Sequence, residues 1–326
     1  MNDTTIRIAF IGAGDIAFLH GAAIGRSPGM VLAGLWSPDE GLNREKSELF
    51  GCQVYGSVDA LVNDPSIDAV FVLTPMESHH HYAMMVIHAG KHVLVEKPAA
   101  VTIAELEEMR DAAASRGVAI MPGHNYIHED SLRRTKIMID DGRLGDIAQV
   151  YIMFNIDHPE EVARRYPGVI RQLMIHHLYI LLYLAGKPVS LSAMKSVFSY
   201  ETHTEDDLAM VTLRMANGGL AHLGASFAND DHSSDAWSFF VKVMGTKGST
   251  RFAYNDWVEN AKAVVHSHTY SAYHFHIENE VRFFIDECVR KGTAPPSTID
   301  DAITCLRIIE AIEAAIERRC EVELQI

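Results

Sequence analysis

The first 123 residues alternate short apolar runs with stretches of helical periodicity. Each apolar run is hydrophobic throughout, which is typical of parallel strands that are covered on both faces. Thr102 and Glu105 form a capping-box signature before one of the helical stretches, and Gly117 is placed to end that helix. We therefore predict a parallel sheet between two layers of helices. The expected strands are 6–11, 30–36, 69–73, 92–95 and 118–121, and the expected helices are 13–27, 43–50, 78–89 and 102–116.

The pattern changes after Pro122-Gly123, where longer runs alternate apolar and polar positions with the period of a half-buried strand. Asn217-Gly218 separates two of these runs and is a hairpin signal. The pattern predicts an α+β domain with an open, mostly antiparallel sheet over 124–326, after an α/β domain over 1–123. The expected strands are 147–156, 191–200, 208–215, 220–227 and 239–244, and the expected helices are 130–141, 277–290 and 299–319.

Composition narrows the class of protein. A chain of 326 residues with 48% apolar residues suits two domains. The formal net charge of −15 gives no general attraction for nucleic acid or an anionic membrane. The longest apolar run, 178–185, is far shorter than the roughly 20 residues of a membrane-spanning helix. We expect a soluble cytoplasmic protein with reduced thiols at Cys52, Cys288, Cys305 and Cys320.

A glycine motif follows the first strand and opens the first helix. Its residues, Gly12-Ala13-Gly14-Asp15-Ile16-Ala17, fit the Gly-x-Gly-x-x-Ala form of a dinucleotide-binding turn. Gly12 allows the tight turn, and Gly14 lets a pyrophosphate approach the N–H groups of the helix N-terminus. At the end of the second strand, Ser37 stands where an acidic residue would bind the cofactor ribose, and Asp39 follows two residues later. This pattern favours NAD slightly and leaves NADP open.

One further stretch, Lys91-His92-Val93-Leu94-Val95-Glu96-Lys97-Pro98, resembles the glucose–fructose oxidoreductase / inositol dehydrogenase (Gfo/Idh/MocA) family. The segment 74–79 resembles that family's Thr-Pro-Asn-x-x-His motif, and the tail around Glu280 and Phe284 is also similar. The resemblance covers nearly the whole chain. It implies a Rossmann domain, an open-sheet domain that commonly forms an oligomer interface, bound NAD or NADP, and a sugar, cyclitol or related hydroxyl or carbonyl substrate.

The resemblance also implies site residues. Lys97 is the family's catalytic lysine by position, and such a lysine exchanges a proton with the reacting oxygen when its pKa is lowered. His176 falls on the family's histidine, while Gln172 and Tyr179 replace two aspartates of the motif. We therefore expect Lys97 and His176 to share the proton transfer. Spacings of four and three place Gln172, His176 and Tyr179 on one helical face.

The remaining expected contacts come from the same likeness. Asn125 matches the family's Gly-x-Asn-x-Arg segment, in which Ile127 replaces the arginine, and an arginine near residue 164 could grip an anion. The expected substrate-binding residues are Gln172, His124, Tyr126, Tyr179, Arg171 and Arg164. The expected cofactor-binding residues are Gly12, Gly14, Asp15, Ile16, Ser37, Asp39, Thr74, Pro75, His79, Glu96, Lys97 and Asn125.

The histidines 266, 268, 274 and 276 show no recognisable ligand spacing, so we predict no metal site and leave their role open. The leading hypothesis is an NAD(P)-dependent oxidoreductase that acts on a CH–OH group of a sugar or cyclitol, as a homodimer or homotetramer. Alternatives are a redox-neutral NAD-dependent glycosidase, a dehydrogenase for the cyclic hemiacetal of an aromatic semialdehyde, and a catalytically inactive sensor.

Overall fold

The computed structural model describes residues 5–228, 237–253, 258–260, 263–266 and 269–326, with no side chains described at 237 or at 254–273. The chain divides into two compact units, each built from two stretches of chain. The first unit comprises Met1–His128 and His274–Ile303, and the second comprises Glu129–Tyr273 and Thr304–Ile326.

The sheet of the first unit has six strands in the order β3-β2-β1-β4-β5-β6, and all pairs are parallel. Its strand order reverses between β1 and β4, and such a switch point is where open α/β sheets bind ligands. The predicted parallel sheet is confirmed. The strands are β1 (Ile6–Ile11), β2 (Met30–Trp36), β3 (Gln53–Val54), β4 (Ala69–Val72), β5 (His92–Val95) and β6 (Ile120–Pro122).

Helices alternate with these strands. The capping box at Thr102 and Glu105 is present, and Gly117 ends that helix with a left-handed φ of 64°. Sequence periodicity missed β3 and α3, because a two-residue strand and a five-residue helix are too short to show a period. The helices are α1 (Asp15–Gly25), α2 (Glu40–Phe50), α3 (Val58–Val62), α4 (His79–His88) and α5 (Ile103–Arg116), with 3-10 turns at Met76–Ser78 and Asn125–His128.

The second unit is built on a seven-stranded sheet in the order β12-β11-β7-β10-β9-β8-β15. Only β7 and β10 pair in parallel; the other neighbours within this sheet are antiparallel, as predicted. The strands are β7 (Ile147–Ile156), β8 (Pro188–Ser196), β9 (Leu208–Met215), β10 (Leu220–Ser226), β11 (Trp237–Gly245), β12 (Ser249–Ala253) and β15 (Val322–Glu323), beside a separate pair, β13 (Val258–Asn260) and β14 (Ala263–His266).

One face of this sheet is buried, and the other carries exposed apolar side chains. The strand β9 alternates buried and exposed positions along its length. Met153, Gly224, Met210 and Met194 stand opposite one another on four neighbouring strands, so that they form one row across the sheet. The three methionines are 41%, 52% and 78% exposed at positions 153, 210 and 194. The row is therefore a continuous apolar surface of the second unit.

The later helices are α6 (Asp130–Asp140), α7 (Glu160–Ala163), α8 (Gly168–Gln172), α9 (Met174–Ala185), α10 (Thr269–Phe283) and α11 (Ile299–Arg318). A π-helical segment, Phe284–Val289, continues directly from α10. Among the helices described, none combines the length and the apolar character needed to cross a bilayer.

The division of the chain differs from the predicted boundary at residue 123. The first stretch ends at His128, and residues 274–303 pack with it rather than with the second unit. The ring centroid of Phe284 lies 5.8 Å from that of Phe71 in β4, which itself stacks on Phe10 at 5.7 Å. Contacts between stretches so far apart in the chain leave no local pattern for periodicity to detect.

Candidate active site

The glycine turn lies between β1 and α1 in the first unit. Gly12 has a φ of 113°, and a Cβ atom there would stand 2.5 Å from the carbonyl oxygen of Leu73. Gly14 caps α1 without any side-chain hydrogen bond, and a Cβ atom there would meet nothing within 4 Å. Asp15 and Ile16 begin the helix. The close packing on one side of the turn and the open space on the other fit a pyrophosphate at the helix N-terminus.

The end of β2 is held by a local network. Ser37 is 6% exposed, and its hydroxyl donates to the carbonyl oxygen of Asp39 at 3.1 Å. Asp39 caps α2 by accepting a hydrogen bond from the Leu42 N–H at 3.0 Å. The Asn43 amide donates to the carbonyl oxygen of Ser37 at 2.8 Å. The residue pair expected at the cofactor ribose is therefore fixed in place by the start of α2.

The turn after β4 contains Thr74 and Pro75, which were expected beside the cofactor. Ser78 donates from its hydroxyl to the Thr74 hydroxyl at 2.8 Å. His79 is buried, with Nε2 2.6 Å from the Thr74 carbonyl oxygen and Nδ1 2.7 Å from the Pro98 carbonyl oxygen. This one ring joins the turn after β4 to the turn after β5.

Lys97 follows the end of β5 and is half-buried. Burial lowers the pKa of its ammonium group, and the Glu96 carboxylate opposes that shift. The Lys97 N–H donates to Glu96 Oε2 at 3.0 Å, and His20 Nε2 lies 3.0 Å from Glu96 Oε1. Burial acts to raise the pKa of Glu96, but the hydrogen bond from His20 and the charges of His20 and Lys97 hold it below its usual value. An ionised carboxylate therefore stands beside a lysine with a reduced pKa.

A second carboxyl group is buried in the first unit. Glu280 in α10 is 0% exposed, and neither of its carboxyl oxygens has a hydrogen-bond partner among the described residues. Burial and, after it, the charge of Glu96 raise the pKa of Glu280 well above its ordinary value. Glu280 is therefore a neutral acid near an ionised one.

The stretch after β6 is also buried. His124 is 1% exposed, and its Nδ1 lies 2.6 Å from the Ser297 hydroxyl oxygen. Burial, with the nearby charges of His128 and Lys97, lowers the pKa of His124 to about 3, so the ring is neutral at physiological pH. Asn125 and Tyr126 are buried as well, and the Tyr126 ring lies 4.8 Å from the His276 ring.

In the second unit, the expected single helix for Gln172, His176 and Tyr179 is interrupted. The structure ends α8 at Gln172 and begins α9 at Met174, so that Gln172 belongs to a different helix from the other two residues. Nothing at Leu173 signals this break, since the residue is neither glycine nor proline. His176 and Tyr179 do share one face of α9, and His176 Nδ1 lies 2.7 Å from the Tyr179 hydroxyl oxygen.

His177, the neighbour of His176, is a structural residue of the second unit. Its Nδ1 lies 3.0 Å from the Leu173 carbonyl oxygen and its Nε2 2.8 Å from the Gly224 carbonyl oxygen. Burial lowers its pKa to about 4 against the effect of these two carbonyl groups. The ring thus connects α9 to the sheet strand β10.

Both arginines expected at the substrate are paired with carboxylates of the second unit. Arg171 donates from Nε and Nη2 to the two Glu313 oxygens at 2.7 and 2.8 Å. Arg164 donates to Glu160 at 2.9 Å and also contacts the Thr202 hydroxyl. Glu160 further accepts hydrogen bonds from the main chain at 201–203, so the Arg164 segment is tied to that loop.

The first unit thus brings together the glycine turn, the turn at Thr74, His79, Glu96, Lys97 and the His124–Tyr126 stretch, while the second unit holds Gln172, His176 and Tyr179. Sequence reasoning missed His20 as the partner of Glu96. Its place three residues after the buried Ala17 on α1 is a signal that could have found it, because both positions face the sheet. Ser297 gave no signal, being 173 residues from His124.

Part of the histidine cluster lies outside the described residues: His268 is not described, and His266 is described in its backbone alone. Among the residues that are described, no group of three or more His, Cys, Asp or Glu side chains could hold a metal ion.

Comparison with known proteins gives two family matches. Residues 6–124 match the family described as "Oxidoreductase family, NAD-binding Rossmann fold", and residues 132–251 match the "GFO/IDH/MocA C-terminal domain". A scyllo-inositol 2-dehydrogenase (NADP(+)), IolW, of Bacillus subtilis (strain 168) is 26% identical over 84% of each chain. A dTDP-3,4-didehydro-2,6-dideoxy-alpha-D-glucose 3-reductase of Streptomyces violaceoruber is 29% identical over 75% of this chain and 71% of that protein.

Among solved structures, scyllo-inositol dehydrogenase from Lactobacillus casei with bound NAD(H) and scyllo-inositol has a TM-score of 0.87 at 20% identity, and the match covers 98% of this chain and 99% of that one. This likeness confirms the predicted fold class, which is a Rossmann domain followed by an α+β domain with an open, mostly antiparallel sheet. The two family matches together span most of the chain and confirm the resemblance drawn from the Glu96-Lys97-Pro98 motif. The chain belongs to the GFO/IDH/MocA family and is an NAD(P)-dependent oxidoreductase.

Proposed function

We propose that the chain transfers hydride between NAD(P) and a ring carbon that carries a hydroxyl or carbonyl group, on a cyclitol or sugar. The observation that carries this proposal is Lys97, whose pKa is lowered and which stands at the carboxyl end of β5 in the unit that holds the glycine turn. The names of the inositol dehydrogenase from Bacillus subtilis and the dTDP-sugar reductase from Streptomyces support the substrate class.

The first unit offers the residues for the cofactor. The turn at Gly12 and Gly14, with the start of α1, suits the pyrophosphate, and Ser37 and Asp39 suit the adenosine ribose. Thr74, Pro75 and Asn125 are proposed at the nicotinamide end. When bound, the nicotinamide ring supplies or accepts the hydride.

Lys97 is proposed to move the proton that accompanies hydride transfer. Oxidation of a secondary alcohol requires that its hydroxyl lose a proton, and a lowered pKa raises the fraction of lysine in the neutral form, whose Nζ can take up that proton near neutral pH. The Glu96 carboxylate keeps the pKa of Lys97 from falling as far as burial alone would take it. The lysine can therefore hold the proton as well as release it.

His176 is proposed as the second proton carrier. The Tyr179 hydroxyl engages Nδ1 at 2.7 Å and orients the ring, and an imidazole can exchange a proton with a substrate oxygen near neutral pH. Gln172 cannot carry a proton, but its amide can donate to and accept from a substrate hydroxyl. An amide at position 172 supports the proposal that Lys97 and His176 share the proton transfer.

The other expected substrate residues have weaker structural support. His124 faces the Ser297 hydroxyl and the Tyr126 ring packs against His276, which supports a role for both in holding the stretch that carries Asn125. The guanidinium groups of Arg164 and Arg171 are engaged by carboxylates, which favours a role in holding their loops.

A single assay tests the proposed reaction. Purified protein is incubated with NAD or NADP and a panel of inositols, free sugars and aryl glycosides, and reduced-cofactor absorbance and released aglycone are followed in the same well. We expect reduced cofactor with an inositol or sugar and no aglycone. Aglycone release without net cofactor reduction would overturn the proposal in favour of a redox-neutral glycosidase. Oxidation confined to an aromatic semialdehyde hemiacetal would overturn the substrate class.

We also propose that the chain forms a homodimer or homotetramer through the methionine row of the second unit. The row of Met153, Met210 and Met194 crosses four strands, and Leu220 adds a further exposed apolar side chain on the same sheet. A contiguous exposed apolar patch on a sheet face marks a protein–protein contact.

A further inference from the structure

His79 is expected from the sequence to bind the cofactor, but its polar atoms are committed elsewhere. Nδ1 lies 2.7 Å from the carbonyl oxygen of Pro98, and Nε2 lies 2.6 Å from the carbonyl oxygen of Thr74. The residue is only 1% exposed. Both ring nitrogens of His79 therefore face the main chain of the protein itself.

The two carbonyl groups belong to the turns that carry proposed site residues. Thr74 lies in the turn after β4, next to Leu73, whose carbonyl oxygen is the atom that Gly12 approaches. Pro98 directly follows Lys97 in the turn after β5. The imidazole thus joins the cofactor side of the proposed site to the backbone that carries the lysine.

The neighbouring side chains of Thr74 and Glu96 have hydrogen-bond partners of their own, and neither of those partners holds the Thr74 or Pro98 carbonyl group. The Thr74 side chain is held by Ser78, which donates to its hydroxyl at 2.8 Å. The Glu96 carboxylate is oriented by His20, whose Nε2 is 3.0 Å away. His79 holds the Thr74 main chain instead of its side chain.

The protonation of the ring decides how many of these bonds form. A carbonyl oxygen only accepts hydrogen bonds, so each contact needs a hydrogen on the facing ring nitrogen. Burial lowers the pKa of His79, while the carbonyls of Pro98 and Thr74 and the charges of Glu96 and Glu77 act against that shift. Both nitrogens lie within hydrogen-bond distance of a carbonyl oxygen, so the geometry calls for a hydrogen on each nitrogen and favours the imidazolium form against the effect of burial.

We propose that His79 is a positioning residue for the hydride-transfer reaction, because it fixes the backbone beside Lys97 through the Pro98 carbonyl and the turn after β4 through the Thr74 carbonyl. This inference rests on the proposed role of Lys97. The two bonds have separable effects. The Pro98 bond bears on turnover, since a misplacement of about 1 Å at a reacting group can cost about 100-fold in rate. The Thr74 bond bears on cofactor affinity.

Two substitutions separate these effects. The amide nitrogen of His79→Asn stands close to the position of Nδ1 and can keep the bond to Pro98. The longer His79→Gln places its amide nitrogen close to Nε2 and can keep the bond to Thr74. We expect His79→Gln to lower kcat about 30- to 100-fold with little change in the Kd for NAD or NADP, measured by calorimetry. We expect His79→Asn to raise that Kd about 10-fold with little change in kcat.

The matched controls are His81→Asn and His81→Gln, at an exposed histidine of the same helix, which should behave as the unchanged protein. Circular dichroism and thermal melting check the fold of each variant. Equal effects of the two His79 variants on kcat and on Kd would overturn the inference, as would unchanged values for both. If His79→Gln fails to fold, His79→Asn decides alone, because a loss of kcat at unchanged Kd contradicts the proposed division.

The variant Lys97→Met distinguishes the failure of this inference from the failure of the proposed function. If Lys97→Met turns over normally, the proposed role of the lysine is wrong and the inference falls with it. If Lys97→Met is inactive while both His79 variants turn over normally with unchanged Kd, the inference about His79 alone is wrong.

Discussion

Nδ1 of His176 lies 2.7 Å from the hydroxyl oxygen of Tyr179, three residues further along α9. The tyrosine is 1% exposed and its ring lies 5.6 Å from the imidazole, edge to face. A buried phenol in this position fixes the orientation of the histidine ring, and it can pair with either protonation state of Nδ1 because a hydroxyl both donates and accepts. In the family motif an aspartate is expected at position 179, so this chain orients its histidine with a neutral partner.

Removal of the Tyr179 hydroxyl should therefore slow turnover. For Tyr179→Phe we expect kcat to fall about 10-fold, the value of one hydrogen bond, at unchanged Kd for the cofactor. Steady-state kinetics with the substrate found in the panel assay checks this. Tyr183→Phe, one turn further along the same helix, is the control. Equal kinetics of Tyr179→Phe and the unchanged protein would show that the phenol does not orient the catalytic ring.

Substitution of Lys97 should remove most of the turnover. For Lys97→Met we expect a loss of about 10²- to 10⁴-fold in kcat, the usual contribution of a general acid–base group, with retained NAD or NADP binding. Calorimetry and stopped-flow absorbance measure the two quantities. Lys187→Met, at an exposed lysine, is the matched control. Turnover near that of the control would exclude Lys97 as the proton carrier.

Glu280 should make the stability of the protein depend on pH. Burial and the charge of Glu96 raise the pKa of Glu280 in the folded state, so the folded state holds a proton that the unfolded state has released above its ordinary pKa of about 4.3. The free energy of unfolding therefore falls as pH rises from that value towards the folded-state pKa, by up to about 1.4 kcal/mol per pH unit.

Glu280→Gln removes this titration and keeps the size of the side chain. We expect the two proteins to be similarly stable near pH 4, and the variant to become the more stable one as pH rises to 8, in urea unfolding followed by circular dichroism. Glu317→Gln, at an exposed glutamate, should run parallel to the unchanged protein. A constant difference at all pH values would mean that Glu280 does not hold a proton in the folded state.

The methionine row should set the oligomeric state. We expect a dimer or tetramer by light scattering after size exclusion. The double variant Met194→Glu with Met210→Glu should form a smaller species, because burying its carboxylates in an apolar contact between subunits would cost free energy. Leu49→Glu, at an exposed leucine of α2, should leave the mass unchanged. An unaltered mass for the double variant would place any subunit contact elsewhere.

Local signals allowed much of the first unit to be predicted. The continuous apolar runs, the capping box at Thr102 and the glycine turn each depend on residues close together in the chain, and each is found in the structure. The hairpin at Asn217-Gly218 is found for the same reason. The parallel pairing of β7 with β10 is a contact between distant strands, and periodicity carries no information about it.

The candidate site was only partly predictable, because contacts rather than residue types decide its roles. The sequence identifies His79 as a residue of interest, but only the structure shows Thr74 and Pro98 on either side of its ring. The sequence predicts Arg171 as a substrate-binding residue, but the structure pairs it with Glu313, which lies 142 positions later in the chain. The end of α8 at Gln172 has no sequence signal at all.

The interleaving of the two units has a consequence for synthesis on the ribosome. Residues 1–128 emerge first, but Phe284, which covers Phe71, belongs to a stretch that follows nearly the whole of the second unit. A nascent chain has then made all six strands of the first sheet, but it lacks the segment that packs on Phe71 while some 150 further residues are translated. Since domains fold as units during translation, the first unit can close only near the end of synthesis. We therefore expect truncation within 274–303 to lower the yield of folded protein, although every strand of the first sheet would still be present.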